Sequence, residues 1–220
     1  NQKEKQNFYI SYRSTMNYKN KTVVITGGAK GIGAACAQIF FDAGANVAVL
    51  DIAPNSKELS DARWLYLHCN VAHAVSVEQS MKRVLEHFGA IHFLINNAGI
   101  QRYGSVTNTS EEEWDEVMNV NLKSYFLSAR YALPHIQQAG GGAVINIASV
   151  QAFVTQENVA AYATSKSAIL GLTRSIAIDY APHIRCVAVC PGTIDTPMLR
   201  DAIALSSDPQ AVLKECEEMH

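Results

Sequence analysis

The chain has 220 residues, 48% of them hydrophobic and 17% charged, enough to bury a substantial core without disulfides or metals. A net charge of −2 and no basic tract give no reason to expect nucleic acid or an anionic membrane as a partner. No apolar run approaches the ~20 residues needed to span a bilayer, and no internal repeat or low-complexity tract is evident.

Residues 1–15 precede Met16 and lack the apolar stretch of a secretory signal. They read as a flexible leader or appended remnant ahead of one domain over 16–220. The run Thr22-Val23-Val24-Ile25 reads as a buried strand, here set at 22–26. It leads into Thr26-Gly27-Gly28-Ala29-Lys30-Gly31-Ile32-Gly33 and then a helical pattern over 32–43. A glycine turn between strand and helix lets a pyrophosphate approach the backbone N–H groups at the helix start, where the dipole favours negative charge. The spacing T-G-x-x-x-G-x-G of Gly27, Gly31 and Gly33 has a wider first gap than the usual dinucleotide fingerprint, and such a turn can also be purely structural.

A second strand over 46–50 ends in Asp51, placed to accept both hydroxyls of an adenosine ribose and to repel a 2′-phosphate. Asp51 could equally just start the next turn, and Lys30 beside Gly31 could reach a phosphate. The balance favours NAD over NADP. Strand 65–69, helix 75–88 and strand 92–96 follow, then a long helix over 111–138. Ser110 with Glu113 predicts a capping box at its start, and Pro134 predicts a bend or interruption near its end. Strand 143–148, helix 159–180 and strand 184–190 complete an alternation that predicts an α/β fold, a doubly wound parallel sheet between two helical layers.

Tyr162 and Lys166 sit one turn apart near the start of helix 159–180 and share a face. Lowering a phenol from ~10 to ~7 requires about 4 kcal/mol of extra phenolate stabilisation, which a nearby ammonium can partly supply. Tyr162 is thus a candidate proton donor and acceptor, although such a pair is more often a packing ring beside a solvated amine. The cysteines Cys36, Cys69, Cys186, Cys190 and Cys216 show no metal-ligand clustering and read as reduced core thiols. Cys186 and Cys190 are expected on one face of one strand, too far apart for a disulfide. The scattered histidines give no zinc pattern, so no metal site is expected.

Taken together, Thr26 to Gly33, Asn96-Asn97-Ala98-Gly99, Asn119-Val120-Asn121, Ser149, Tyr162 with Lys166, and Pro191-Gly192 with Thr196-Pro197 resemble the short-chain dehydrogenase/reductase family in order and spacing. The resemblance runs from about Asn20 to the last residue. It implies hydride transfer between nicotinamide and a carbinol or carbonyl carbon. Tyr162 would be the acid/base, Lys166 would lower its pKa and hold the nicotinamide ribose, Ser149 would bind the substrate oxygen, and Asn121 would hold a water that passes the proton on through Lys166.

The same resemblance implies cofactor contacts at Gly27, Lys30, Gly31, Ile32, Gly33 and Asp51, with Asn70 and Val71 at the adenine, where relatives more often carry Asp. Asn97, Ala98 and Gly99 would line the adenine ribose. Pro191, Gly192, Ile194 and Thr196 would meet the carboxamide, although Pro191-Gly192 alone reads as an ordinary turn. Gln151 and Gln156 would border the substrate with Ser149 and Tyr162, as would the turn Gln101-Arg102-Tyr103. These polar groups suit a polyol, unless they point to solvent.

Ser149-Val150-Gln151-Ala152, Asp179-Tyr180-Ala181-Pro182 and Cys190 to Pro197 resemble the aldohexose 1-dehydrogenase branch, which implies oxidation of an aldose. Two other readings stand beside it: 3-oxoacyl-carrier-protein reductase, disfavoured by Asp51, and a non-catalytic nucleotide-binding relative. The reduced thiols point to a cytoplasmic enzyme, and the resemblance further implies a homo-oligomer, tetramer or dimer. Relatives continue past His220 through another helix and strand, so the chain is expected to lack that part.

Overall fold

A computed structural model describes residues 17–54 and 60–204, together with the single positions 208, 210 and 214. The leader over 1–15, Cys216 and the end of the chain lie outside the described residues. Six strands form one sheet: β1 (Thr22–Thr26), β2 (Asn46–Asp51), β3 (Trp64–His68), β4 (Phe93–Asn96), β5 (Gly142–Ile147) and β6 (Ile184–Val189). Their spatial order is β3-β2-β1-β4-β5-β6 and every pairing is parallel. Between strands run α1 (Gly31–Asp42), α2 (Ala74–Phe88), α3 (Glu111–Met118), α4 (Ser124–Gln138) and α5 (Ala160–Asp179), and α6 (Pro197–Ala204) follows β6.

Side chains alternate across the strands, and the two faces bury different sets. Val24, Ala48, Leu50, Leu94 and Val144 join Val77, Met81 and Val84 of α2 and Leu133 and Ile136 of α4 on one side. Val23, Ile25, Val47, Val49 and Ile95 pack with Ala37 of α1 on the other. The four central residues of β2 are fully buried, as expected for a parallel strand covered on both faces. The edge strand β6 differs, since Arg185, Val187 and Val189 are exposed while Ile184 and Cys186 are buried.

Chain order reverses between β1 and β4, which are hydrogen-bonded neighbours in register from Val23–Phe93 to Ile25–Ile95. Their C-terminal ends therefore open a crevice with connections leaving in opposite directions, the place where open α/β sheets take ligands.

The expected helix 111–138 is a correction. Its start is as predicted: Ser110 Oγ accepts from the Glu113 amide at 3.1 Å and Glu113 returns a bond to the Ser110 amide at 3.2 Å. The helix then changes hand-hold at a π-helical turn over Asn119–Lys123 before α4 begins. Pro134 does not interrupt it, because α4 runs on to Gln138 with Pro134 exposed. Cys190 is a second correction. It lies beyond the end of β6 and not on the strand with Cys186. All four described cysteines are free, with Cys69 and Cys186 buried and Cys36 and Cys190 half-buried.

Candidate active site

Every expected site residue except Gln156 and Asn121 sits at or just beyond the C-terminal end of a strand, or on the first turns of the helix that follows; Asn121 lies on the π turn after α3. The β1–α1 turn is held open by glycine. Gly27 adopts a φ of +63°, and a Cβ there would stand 2.7 Å from Ala98 Cα. At Gly33 a Cβ would run into the Gly27 carbonyl and sit 2.5 Å from Asn97 Nδ2. Thr26, a residue the sequence left without a role, braces this turn: its hydroxyl accepts from the amides of Asn97 (3.0 Å) and Ala98 (3.2 Å). Asn97 Nδ2 donates back to the carbonyls of Thr26 (3.1 Å) and Gly27 (2.8 Å).

These features fit a dinucleotide pyrophosphate. The helix α1 begins at Lys30 with no side-chain cap and no acidic residue in its first turn, so its leading N–H groups and dipole are left for an anion. Lys30 is exposed beside it and Ile32 is half-buried. Asp51, at the end of β2, accepts from the Ala29 amide through Oδ2 and the Ala53 amide through Oδ1, both at 2.9 Å. Each oxygen keeps capacity for a ribose hydroxyl. Asn70 shapes its own turn, accepting from the Ala72 amide at 3.0 Å, and Val71 is buried beside it.

The reacting groups gather beyond β4 and β5. Ser149 is buried and accepts from the Gln151 amide at 3.2 Å, at the start of a 3₁₀ turn over Val150–Ala152. Ser149 is also near enough to the Tyr162 hydroxyl to influence its titration. Asn121, fully buried on the π turn, accepts from the Ile100 amide at 2.8 Å and donates to the Ile100 carbonyl at 2.9 Å and to Ser165 Oγ at 3.1 Å. Lys166 is buried and donates to the Ile147 carbonyl at 2.9 Å, which also accepts from Tyr125. Asn121 Oδ1 and Lys166 Nζ both flank Gly99: a Cβ added there would lie 3.5 and 3.6 Å from them.

Burial dominates the charges. It raises the Tyr162 phenol, and the nearby Tyr103 adds to this, while the Ser149 hydroxyl pulls it back down. Burial lowers the Lys166 ammonium to about 8, with Cys190 opposing. The expectation that Lys166 lowers Tyr162 thus needs correcting for the protein alone. Its Nζ is 5.6 Å from the Tyr162 ring centroid and bonded to Ile147, and Ser149 supplies the lowering influence.

The turn after β6 closes the crevice from the other side. The Pro191 carbonyl accepts from the Val150 amide at 2.9 Å, joining this turn to the Ser149 segment. Gly192 and Ile194 are exposed on it, and Thr196 Oγ1 accepts from the Leu199 amide at 3.3 Å at the start of α6. A Cβ at Gly31 would touch Thr196, so this turn meets the glycine turn across the crevice. Gln156 is on an exposed stretch over 153–158, and the described contacts do not join it to Ser149 or Tyr162.

An uncapped helix start behind a glycine turn, at the switch point of a parallel sheet and beside a buried Ser and Lys and a half-buried Tyr, defines a dinucleotide-dependent oxidoreductase. Comparison with known proteins agrees. A family model for short chain dehydrogenases matches residues 21–205. The chain is 38% identical over 208 residues to an uncharacterised oxidoreductase of Thermotoga maritima, covering 91% of this chain and 82% of that one. It is 40% identical over 191 residues to 2-(R)-hydroxypropyl-CoM dehydrogenase of Xanthobacter autotrophicus, covering 81% and 76%.

Among solved structures, the ligand-free aldohexose dehydrogenase of Thermoplasma acidophilum is similar at a TM-score of 0.84 and 40% identity, covering 90% of this chain and 76% of that one. The 3-ketoacyl-(acyl-carrier-protein) reductase of Brucella melitensis, in complex with NADH, is similar at 0.80 and 29%, covering 84% and 80%. The chain belongs to the short-chain dehydrogenase/reductase family and is an oxidoreductase dependent on a nicotinamide dinucleotide. No helix among the described residues is long and apolar enough to cross a membrane.

Proposed function

We propose that this enzyme interconverts a secondary alcohol or hemiacetal carbinol and its carbonyl, with NAD as cofactor and an aldose or other polyol as substrate. The observation that carries this reading is the convergence of Ser149, Tyr162 and Lys166 beyond the ends of β4 and β5, beside an uncapped α1. A bound nicotinamide supplies hydride exchange at the carbon bearing the substrate oxygen.

Tyr162 moves the proton at that oxygen. Ser149 takes the Gln151 N–H on its Oγ, so its own O–H is free to donate, either to the Tyr162 oxygen or to the substrate oxygen. Donation to Tyr162 favours the phenolate, which is the form that removes a proton during oxidation. Lys166 keeps one N–H on Ile147 and has two more for the nicotinamide ribose hydroxyls and for a proton relay. Asn121 holds Ile100 and Ser165 in place at the mouth of that relay.

Asp51 supports NAD over NADP, because its carboxylate faces the β1–α1 turn where a 2′-phosphate would bring like charge. The same carboxylate weighs against an NADPH-linked acyl-carrier reductase. The likeness to an aldohexose dehydrogenase supports a sugar, and so do the polar groups around Ser149. Both halves of the site stand on one sheet, which supports a single catalytic domain over 16–220. Free cysteines support a reducing compartment such as the cytoplasm, and exposed Phe126 on α4 supports a homo-oligomer, dimer or tetramer, built on the long helices.

The test is formation of reduced nicotinamide, followed by absorbance, with NAD or NADP and a panel of aldoses, polyols and simple secondary alcohols. Turnover with NAD is expected, and Tyr162→Phe should lose roughly 10²- to 10⁴-fold in kcat while still binding cofactor. Near wild-type kcat in Tyr162→Phe would remove Tyr162 from the chemistry.

A further inference from the structure

Tyr125 is a buried phenol that the chemistry above does not use. It is the second residue of α4 and among the largest fully buried side chains, packed with Ala148 and Ile169 beyond the end of β5. Burial, with Tyr162 nearby, raises its phenol well above the ordinary value. Tyr125 therefore stays a neutral donor and moves no proton.

A buried phenol needs an acceptor, and the one Tyr125 has is the carbonyl that Lys166 uses. Its hydroxyl donates to the Ile147 oxygen at 2.9 Å, and Lys166 Nζ donates to the same oxygen at 2.9 Å. A carbonyl oxygen has two lone pairs, so these two donors fill it. Ring and ammonium are thereby tied to a single atom at the end of β5. Nζ lies 5.7 Å from the centroid of the Tyr125 ring, inside the ~6 Å within which a ring face attracts a cation.

Lys166 has need of that attraction. Buried charges are normally paired, yet among the described residues no carboxylate pairs with this ammonium. The titratable groups described around it are Tyr162 on its own helix, with its ring centroid at 5.6 Å, Tyr125 on α4, and Cys190 after β6. Of the two rings, that of Tyr162 belongs to the half-buried acid/base, whereas that of Tyr125 is fully enclosed and bonded at its far end. Loss of solvent around a cation strengthens its contact with a ring face.

We propose that Tyr125 is a positioning residue for Lys166, its enclosed ring face holding the ammonium charged and in place for the nicotinamide ribose. This rests on the dehydrogenase reading above, in which Lys166 meets that ribose. A charged Lys166 donates more strongly to the ribose hydroxyls than a neutral amine and attracts the dinucleotide anion. Weakening the ring face favours the neutral amine, so cofactor binding is lost at a lower pH.

The test is NADH affinity, read by fluorescence titration between about pH 6 and 10, in wild type, Tyr125→Phe and Tyr125→pentafluorophenylalanine. The two variants have nearly the same shape, but fluorine withdraws electron density and reverses the charge on the ring face. Wild type is expected to bind evenly while Lys166 is charged and to lose affinity as pH rises through about 8. Tyr125→Phe keeps the face and should break at nearly the same pH, whereas the fluorinated ring should break about one pH unit lower, the size of a desolvated cation–π contact. Lys166→Arg stays charged over this range and should bind without the break. Where the fluorinated chain does not fold, Tyr125→Leu, which has no ring face, is read against Tyr125→Phe in its place. A wild type without the break, equal midpoints with and without the face, or a break that persists in Lys166→Arg overturns the inference and leaves the dehydrogenase reading standing. Absence of NADH binding by wild type overturns that reading and the inference with it.

Discussion

The two halves of the crevice are built differently. On the cofactor side, the β1–α1 turn and the segment after β4 are braced by four hydrogen bonds among Thr26, Gly27, Asn97 and Ala98, and there is no room at Gly27 or Gly33 for a Cβ. On the substrate side, Tyr103, Phe153 and Val154 are all exposed. The first half is braced within the protein and leaves the N–H groups at the start of α1 for an anion, whereas the second is walled by exposed side chains. A cofactor half that meets one invariant molecule can be rigid to the last atom. A substrate half needs groups left over for recognition.

If this contrast holds, the largest effect follows from filling the rigid half. Gly33→Val puts a branched side chain against the Gly27 carbonyl and the Asn97 amide, neither of which can retreat without breaking the brace to Thr26. Overpacking of this kind costs about 1–3 kcal/mol or more, and here it falls where α1 should receive the pyrophosphate. Cofactor affinity, read by fluorescence titration with NADH, is expected to fall at least roughly tenfold to a hundredfold together with Tm. Unchanged affinity would mean that the glycine turn can yield and that the contrast is false.

A smaller effect is expected at Asp51, which sharpens the comparison by asking what the rigid half selects. Replacing Asp51 with Ser removes the carboxylate that holds the Ala29 and Ala53 amides and would repel a 2′-phosphate. The kcat/KM preference for NAD over NADP should narrow about tenfold, in line with loss of one like-charge contact in a partly screened site. A preference that does not move would detach Asp51 from the ribose.

How much of this was legible in the sequence follows the same division. The apolar runs placed the six strands within a residue, and for central strands such as β1 and β2 burial on both faces leaves little choice of side chain. The Ser110–Glu113 box marked the start of α3, because capping is local. The π turn at Asn119–Lys123 was not legible. Residues 111–138 carry one helical pattern, and what accompanies the break is the bonding of Asn121 to the Ile100 backbone, 21 positions away. The 3₁₀ turn after Ser149 was hidden for a similar reason, since its anchor is the Pro191 carbonyl. Cys190 was read onto a strand that ends one residue earlier, where the chain turns toward Pro191. The Thr26 hydroxyl did have a signal, a hydrogen-bonding side chain ending an apolar strand directly before the glycines.

The smallest effect is expected at the foot of the β1–β4 pair, opposite the cofactor end. His92 is buried there, its Nδ1 accepting from the Thr22 amide at 3.1 Å and its own amide donating to the Thr22 carbonyl at 3.0 Å. Burial, with Lys21 nearby, lowers the imidazole below its usual value. A protonated Nδ1 cannot accept, so the bond to Thr22 exists only with neutral His92. Because the folded value lies below the unfolded ~6.5, the unfolded chain takes up the proton first as pH falls. The contribution is full above ~6.5 and is lost as pH falls through the folded value. His92→Asn offers an acceptor that does not titrate, and urea midpoints at neutral and mildly acidic pH should fall less in that variant than in wild type. The difference should be about 1 kcal/mol, the size of one hydrogen bond. Equal acid sensitivity would assign the loss to other groups and leave the foot of β1 without a pH-dependent tie, whereas the expected difference would show that the strand carrying the glycine turn is pinned at both ends.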